Sequence, residues 1–400
     1  MKKSSSRRRF LEISALGGTL AACKPAAKVE ETLPSRLGKP VSGYGERAPT
    51  EKALRWMRTT RTPEQASSMT PHQDLNGIVT PSALHYERHH SGIPRLDPAT
   101  HKLLIHGLVE RPLIFTMDEL HRLPSVSRIH FLECAGNTGS EWPAKTAPEV
   151  QQSHGLASCS EWTGVPLSLI LAECGVKPGA SWILAEGADP CHMSRSVPLA
   201  KCLDDVLLAY GQNGEAIRPE QGYPLRLFVP GWEGNISVKW LRRIKVTDGP
   251  TFTRDETSKY TDLMPDGTAR EFTFEMEAKS VITYPSGGQK LNGPGFCEVK
   301  GVAWSGRGRI ERVECSTDGG KTWKDAQLQE PRLRIAFTRF RFPWNWDGSE
   351  ALLVSRCTDE TGYVQPSKEA LIAVRGVNSN YHYNGTKVWH VAADGSVTNV

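Results

Sequence analysis

Four stretches of this chain hold polar residues that packing alone does not explain. The first is Arg88-His89-His90, following Leu84-His85-Tyr86. The second is Cys134, directly after the strand-like run Arg128-Ile-His-Phe-Leu132 and before Ala135-Gly136-Asn137. A thiol at a strand's end, beside a small-residue turn, is open to a metal or a substrate in a way that a mid-strand thiol is not. The third stretch pairs Tyr223-Pro-Leu-Arg226 with Ser237-Val-Lys239-Trp240, and the fourth is Arg375-Gly376-Val377. Taken singly, each has a plain structural explanation. A lone cysteine fills a core, strand arginines are solvated, and paired histidines lie on surfaces.

The elements that must position these residues can be read from the patterning. Four hundred residues exceed a comfortable single core, so two domains are expected. Lys102-Leu-Leu-Ile-His106, Arg128–Leu132, Trp182-Ile-Leu-Ala185 and Leu225-Arg-Leu-Phe-Val229 read as strands. Thr116-Met-Asp-Glu119 is a capping box opening a short helix through His121. Pro166 to Cys174 reads as a helix stopped by Gly175 and Pro178, and Asn213-Gly214 as a hairpin turn. Val238 to Val246 alternates and closes a mixed α/β unit. After a polar stretch the texture turns all-β. Strands are expected at Ser280–Tyr284, Glu298–Trp304, Ile310–Ser316, Leu333–Arg341 and Leu352–Cys357, with a tight turn at Asp318-Gly319-Gly320. Short strands between turn clusters suggest an immunoglobulin-like sandwich. The predicted fold class is α+β: residues 24–75 an extended arm, 76–255 the mixed domain, 256–400 the sandwich with its tail.

The N-terminus, Ser6-Arg7-Arg8-Arg9-Phe10-Leu11 followed by a short apolar run to Ala22, resembles a twin-arginine export signal over residues 1–23. Such export carries folded proteins, often with a cofactor already inserted, and implies a periplasmic protein. Leu20-Ala21-Ala22-Cys23 also fits a lipoprotein box, in which Cys23 would carry a lipid anchor. The net charge of +5 comes largely from this leader, and the remainder is nearly balanced. That balance gives no reason to expect nucleic acid as a partner. The other eight cysteines form no C-x-x-C pair and no C-x-x-C-H, so no haem is expected in this chain and electrons must leave to a separate protein.

Together, the order and wording of the four stretches resemble the sulfite oxidase family of molybdenum enzymes over roughly residues 76–390. The matching words are Cys134-Ala-Gly-Asn137, Val206-Leu-Leu-Ala-Tyr210 with Asn213-Gly214, Gly222-Tyr-Pro-Leu-Arg226, and Val229-Pro-Gly231 with Ser237-Val-Lys-Trp-Leu241. Ser316-Thr-Asp-Gly-Gly-Lys-Thr-Trp323 is similar to that family's dimerisation domain. The resemblance implies a molybdopterin-binding domain followed by an immunoglobulin-like dimerisation domain. It implies Cys134 as the thiolate ligand of a molybdenum held by the dithiolene of a single pyranopterin. A soft, electron-donating sulfur suits a high-valent metal that accepts two electrons. It further implies that His90, Asp189, Arg226, Ser237 and Lys239 hold the pterin and its phosphate. Gln221 stands where the family often has histidine.

By the same resemblance Arg88, Tyr260 and Arg375 are substrate-pocket residues, catalytic together with Cys134. Animal members follow Cys-Ala-Gly-Asn with two arginines, whereas Thr138-Gly139 stands here. The segment from His154 to Trp162 is also shorter than its animal counterpart. Losing a cation and opening the pocket mouth would suit a substrate carried on a protein arm. Within the family this points to the molybdenum subunits of bacterial sulfane dehydrogenases. Their substrate is a persulfide on a sulfur-carrier protein and their acceptor a c-type cytochrome, in a homodimer or heterotetramer. Three other readings stay open: direct oxidation of free sulfite with cytochrome c as acceptor, a reductase repairing oxidised methionine, and a non-catalytic exported scaffold.

Overall fold

The computed structural model describes residues 38–58, 60, 62–142 and 147–400. The export signal and Cys23 fall outside these residues. Residues 38–51 belong to a unit of their own, exposed throughout and closed by a Lys39–Glu46 ion pair of 3.8 Å. Residues 52–400 form a second unit, which holds every structured element that follows. No helix among the described residues is long and apolar enough to cross a membrane.

Two five-stranded sheets carry the first half of this unit. One is antiparallel and runs Glu215–Ala216, Leu207–Gln212, Ala157–Pro166, Val126–Glu133, with Arg226–Phe228 also paired to Leu207–Gln212. The other runs Leu113–Thr116, Lys102–Gly107, Leu241–Thr247, Trp182–Gly187, Ser194–Pro198, and its Lys102–Gly107/Leu241–Thr247 pair is parallel. Local chemistry sets the element ends. Thr116 caps the Met117–His121 helix in a reciprocal box with Glu119. Gly175, at φ +70°, ends the Leu167–Cys174 helix. Asn213 and Gly214 take φ +51° and +80°, the left-handed pair that a tight hairpin needs.

The second half is a sandwich. Lys279–Tyr284, Gly295–Trp304, Thr338–Trp346 and Gln327–Leu328 form one sheet, and the other is built on Ile310–Ser316, Ala351–Asp359, Val388–Val391 and Val397–Asn399. The strand expected at Leu333–Arg341 instead spans Thr338–Trp346. Its first residues are drawn elsewhere: the Ile335 carbonyl accepts from the Phe131 amide at 3.0 Å, on a strand of the first half. A helix, Lys368–Arg375, capped by the Ser367 hydroxyl, interrupts the all-β texture. Residues Ser67 to His72, within the stretch read as an extended arm, are buried, and Thr70 Oγ1 lies 2.5 Å from Ser158 Oγ.

One apolar cluster spans the two halves, beside others that belong to the first half alone. Phe131, Val150, Ala157 and Cys159 from the first half pack with Val281, Trp304, Phe337 and Phe340 of the sandwich. A seam made this way holds the halves in fixed register, because close-packed interiors resist sliding.

Candidate active site

The Val126–Glu133 strand delivers Cys134. Its partner strand pairs Glu133 with Ala157, and the ladder's next bond runs from the Cys134 amide to the Leu156 carbonyl at 2.9 Å. The chain then turns sharply. The Asn137 amide donates back to the Cys134 carbonyl at 2.8 Å, and Asn137 Oδ1 accepts from the Leu156 amide at 3.0 Å. The apolar cluster of Met69, Tyr86, Leu132, Leu156, Trp162 and Phe228 backs the thiol. Gly234 crosses beside it, where a Cβ would stand 2.8 Å from the Glu133 carbonyl oxygen and from the Tyr86 hydroxyl. Any larger residue would push this crossing segment off the Cys134 loop.

A cleft opens over the sulfur and encloses ≈ 650 Å³ of non-protein space, mouth included. Arg88, His90, Cys134, Asp189, Gln221, Arg226, Ser237, Lys239 and Tyr260 all line it, although they come from six separate stretches of chain. Arg375 does not line it. Its guanidinium is buried against Glu277, Nη2 to Oε2 at 2.7 Å, while its Nη1 has no hydrogen-bond partner. At Gly139 a Cβ would meet the Asn380 carbonyl oxygen at 3.0 Å.

The cleft holds three cations alongside the carboxylates of Glu87 and Asp189. Arg226 is 1% exposed and donates to the Gln221 and Ser237 carbonyls, each at 2.9 Å, while its Nε has no partner. Burial draws its pKa down to about 10. Lys239 donates to the Arg88 and Glu220 carbonyls at 3.2 and 3.1 Å and to His89 Nδ1 at 2.9 Å. Burial, then the nearby Arg226 charge, lowers its pKa to about 7. Among the described residues neither cation, nor Arg88, has a carboxylate within ion-pair distance. Positive charge held this way is poised for an anion. His89 was not among the expected ligands, yet it orders this floor. Accepting from Lys239 at Nδ1 fixes its proton on Nε2, which donates to Glu87 at 2.8 Å.

The other wall is aromatic. Tyr260, at φ +54°, sets its hydroxyl 3.0 Å from His90 Nε2. Its ring is flanked by the Arg195 guanidinium at 4.9 Å and by Tyr381 at 5.2 Å. Burial, reinforced by Arg88, lowers the His90 pKa to about 4, so its imidazole is neutral and can accept from the phenol. Burial likewise keeps Tyr260 protonated, well above its usual range. Cys134 is pushed upward by burial, against the pull of Arg88. A thiol with that bias stays protonated until a metal takes its place on the sulfur. Arg195 was missed at the sequence level, and no motif marks it. Its partners Glu233, at 2.9 Å, and Glu256, at 3.5 Å, are distant in sequence.

The set therefore fits a phosphate-bearing, sulfur-ligated metal cofactor. It offers one thiol, two cations aimed at an anion, and in Asp189 a buried acceptor for ring N–H groups. The eight described cysteines are all unpaired, so the Cys134 thiol is free to ligate.

Comparison with known proteins agrees. A profile described as oxidoreductase molybdopterin binding domain matches residues 90–254. A second, described as Mo-co oxidoreductase dimerisation domain, matches residues 270–389. The chain superposes on the crystal structure of the sulfane dehydrogenase SoxCD from Paracoccus pantotrophus with a TM-score of 0.89 and 49% identity, covering 92% of this chain and 96% of that one. It is 32% identical to mitochondrial sulfite oxidase of Rattus norvegicus over 78% of this chain and 60% of that protein. It is 34% identical to the NADH nitrate reductase of Ulva prolifera over 64% of this chain and 33% of that protein. The chain thus spans about 60% or less of the length of these two curated relatives. A cysteine presented over a cationic cleft, with both profiles in order behind it, makes this chain a member of the sulfite oxidase family of molybdopterin oxidoreductases.

Proposed function

We propose that this protein oxidises sulfane sulfur, presented as a persulfide on a carrier protein, and passes the electrons to a c-type cytochrome in the periplasm. The observation that carries the reading is the likeness to a sulfane dehydrogenase at 49% identity over 92% of the chain, in a chain whose cleft gathers the ligand set around Cys134. The molybdenum cofactor, with a single pyranopterin, supplies two-electron oxidation of sulfur. The rest is the work of the chain's own groups. Cys134 ligates the metal as thiolate. Arg226, Lys239 and Ser237 hold the phosphate end, and Asp189 and His90 orient the ring system. Arg88 stabilises negative charge that grows on the product, and Tyr260 turns its single O–H from His90 Nε2 to donate to that product. Residues 1–23 direct export by the twin-arginine route, residues 76–255 are the catalytic domain, and 256–400 are the dimerisation domain.

Oxidation of free sulfite is the competing reading, favoured by Arg88 in the cleft. Steady-state cytochrome c reduction separates the two. Molybdenum-loaded protein with its cytochrome is offered either free sulfite or a persulfide-loaded carrier, with Cys134→Ser as the blank. Rapid turnover on the carrier and little on sulfite is the expected result. Efficient sulfite turnover without carrier dependence would make the protein a sulfite dehydrogenase instead.

A further inference from the structure

The residue before the cysteine carries the inference. Glu133 is 0% exposed, and its carboxylate takes three donors. Asn137 Nδ2, from the cysteine's own turn, lies 2.8 Å from Oε1. Lys279 Nζ lies 2.6 Å from Oε1, and Trp304 Nε1 lies 2.6 Å from Oε2. Both of these last donors belong to the sandwich, from the Lys279–Tyr284 and Gly295–Trp304 strands. Lys279 reaches further and donates to Thr138 Oγ1 at 3.1 Å, on the far side of the same turn. Thr138 sits at φ +62°, a left-handed setting costly for a β-branched residue, and its hydroxyl also donates to the Tyr383 carbonyl at 2.7 Å. A third tie runs from the His382 amide to the Ala135 carbonyl at 2.9 Å.

The turn bearing Cys134 is therefore gripped on both flanks by side chains of the second domain. All of the gripping groups are buried, so water cannot substitute for them. Holding a metal ligand by charged and neutral donors one step removed is how proteins fix the ligand's angle and basicity.

We propose that Lys279 and Trp304, acting through the Glu133 carboxylate, are positioning residues that set the direction of the Cys134 sulfur toward the metal. The catalytic geometry is then completed by the sandwich domain rather than by the cofactor-binding domain alone. This rests on the reading of Cys134 as the molybdenum's thiolate ligand.

The test uses full-length, molybdenum-loaded protein poised chemically at Mo(V), so that no sulfur substrate enters the readout. Trp304→Phe keeps a ring and removes one donor. Lys279→Met removes the cation. Lys387→Met is the structural comparison, because Lys387 is equally buried and paired to Glu141 at 3.0 Å, seven residues past the thiol. The expected result is a changed Mo(V) electron paramagnetic resonance spectrum in Trp304→Phe, with molybdenum content retained and kcat reduced about ten- to hundredfold. Lys279→Met shifts the spectrum in the same direction if enough folds. Lys387→Met lowers the melting temperature and leaves the spectrum unchanged. A wild-type spectrum and near-wild-type kcat in Trp304→Phe would overturn the proposal. So would a spectral change in Lys387→Met as large as that in Trp304→Phe, since general loosening would then explain both. Wild-type protein that binds no molybdenum would sink the ligand reading itself, an outcome distinct from an unchanged variant spectrum.

Discussion

The cleft and the seam beneath it both hold cations out of water, but they handle the charge in opposite ways. Away from the cleft, four buried cations are paired with carboxylates, whereas Arg339 donates to the Gly77 carbonyl at 2.6 Å. Lys279 meets Glu133 at 2.6 Å, Arg195 meets Glu233 at 2.9 Å, Lys387 meets Glu141 at 3.0 Å, and Arg375 meets Glu277 at 2.7 Å. In the cleft Arg226 and Lys239 rest on carbonyls and an imidazole, and burial draws both pKa values down. Charge neutralised within the chain serves the fold. Unpaired charge that faces the same cleft as the thiol, as that of Arg226 and Lys239 does, is placed to meet an anion. The contrast separates structural from binding residues more sharply than residue type does, because Lys and Arg occur in both groups.

The largest effect should come from breaking a seam pair. Lys279→Met or Arg195→Met takes the cation from a buried carboxylate and should destabilise the protein by about 3–5 kcal/mol. Urea unfolding at neutral pH measures it. A loss below about 1 kcal/mol in both would erase the distinction between the regions.

Acid pH sharpens the comparison by a third route, burial without charge. His72 and His85 are buried, with pKa values lowered by burial from 6.5 to about 3. Above pH 6.5 both states are neutral and nothing is lost. Below it the unfolded chain binds protons that the folded chain refuses, so stability falls until the pH reaches about 3. At one unit below the unfolded pKa, each histidine should have removed about 1.4 kcal/mol. Replacing His72 with Phe should flatten its share of the slope in an unfolding series. An unchanged slope would mean that His72 takes up its proton in the folded protein.

Much of the site was legible because its residues sit in short words. Cys134-Ala-Gly-Asn, Tyr-Pro-Leu-Arg226 and Ser237-Val-Lys239 each place a functional side chain beside a turn or strand end, and the fold brings these ends together. The grip on the turn was not legible. Glu133 and Lys279 lie 146 residues apart, and Glu133 and Trp304 171 apart, so no local pattern couples them. The partner of Arg375 was not legible for a related reason. The arginine's motif fixes a place in the chain, but the Lys368–Arg375 helix presents the side chain to Glu277. The Leu333–Arg341 strand slipped because Ile335 spends its carbonyl on the first domain, a tertiary demand that alternation cannot announce.

The smallest stability effect, and the most direct test of the account, belongs to Lys239→Met. Its cation has no carboxylate to strand, so the cofactor-free variant should unfold within about 1 kcal/mol of cofactor-free wild type. The decisive measurement is the molybdenum and pterin content of the purified variant beside its unfolding curve. The account predicts a folded protein that has lost most of its cofactor. A variant that keeps a full complement of molybdenum and pterin, or that fails to fold without them, would contradict the assignment of the unpaired cleft cations to the cofactor's anionic end.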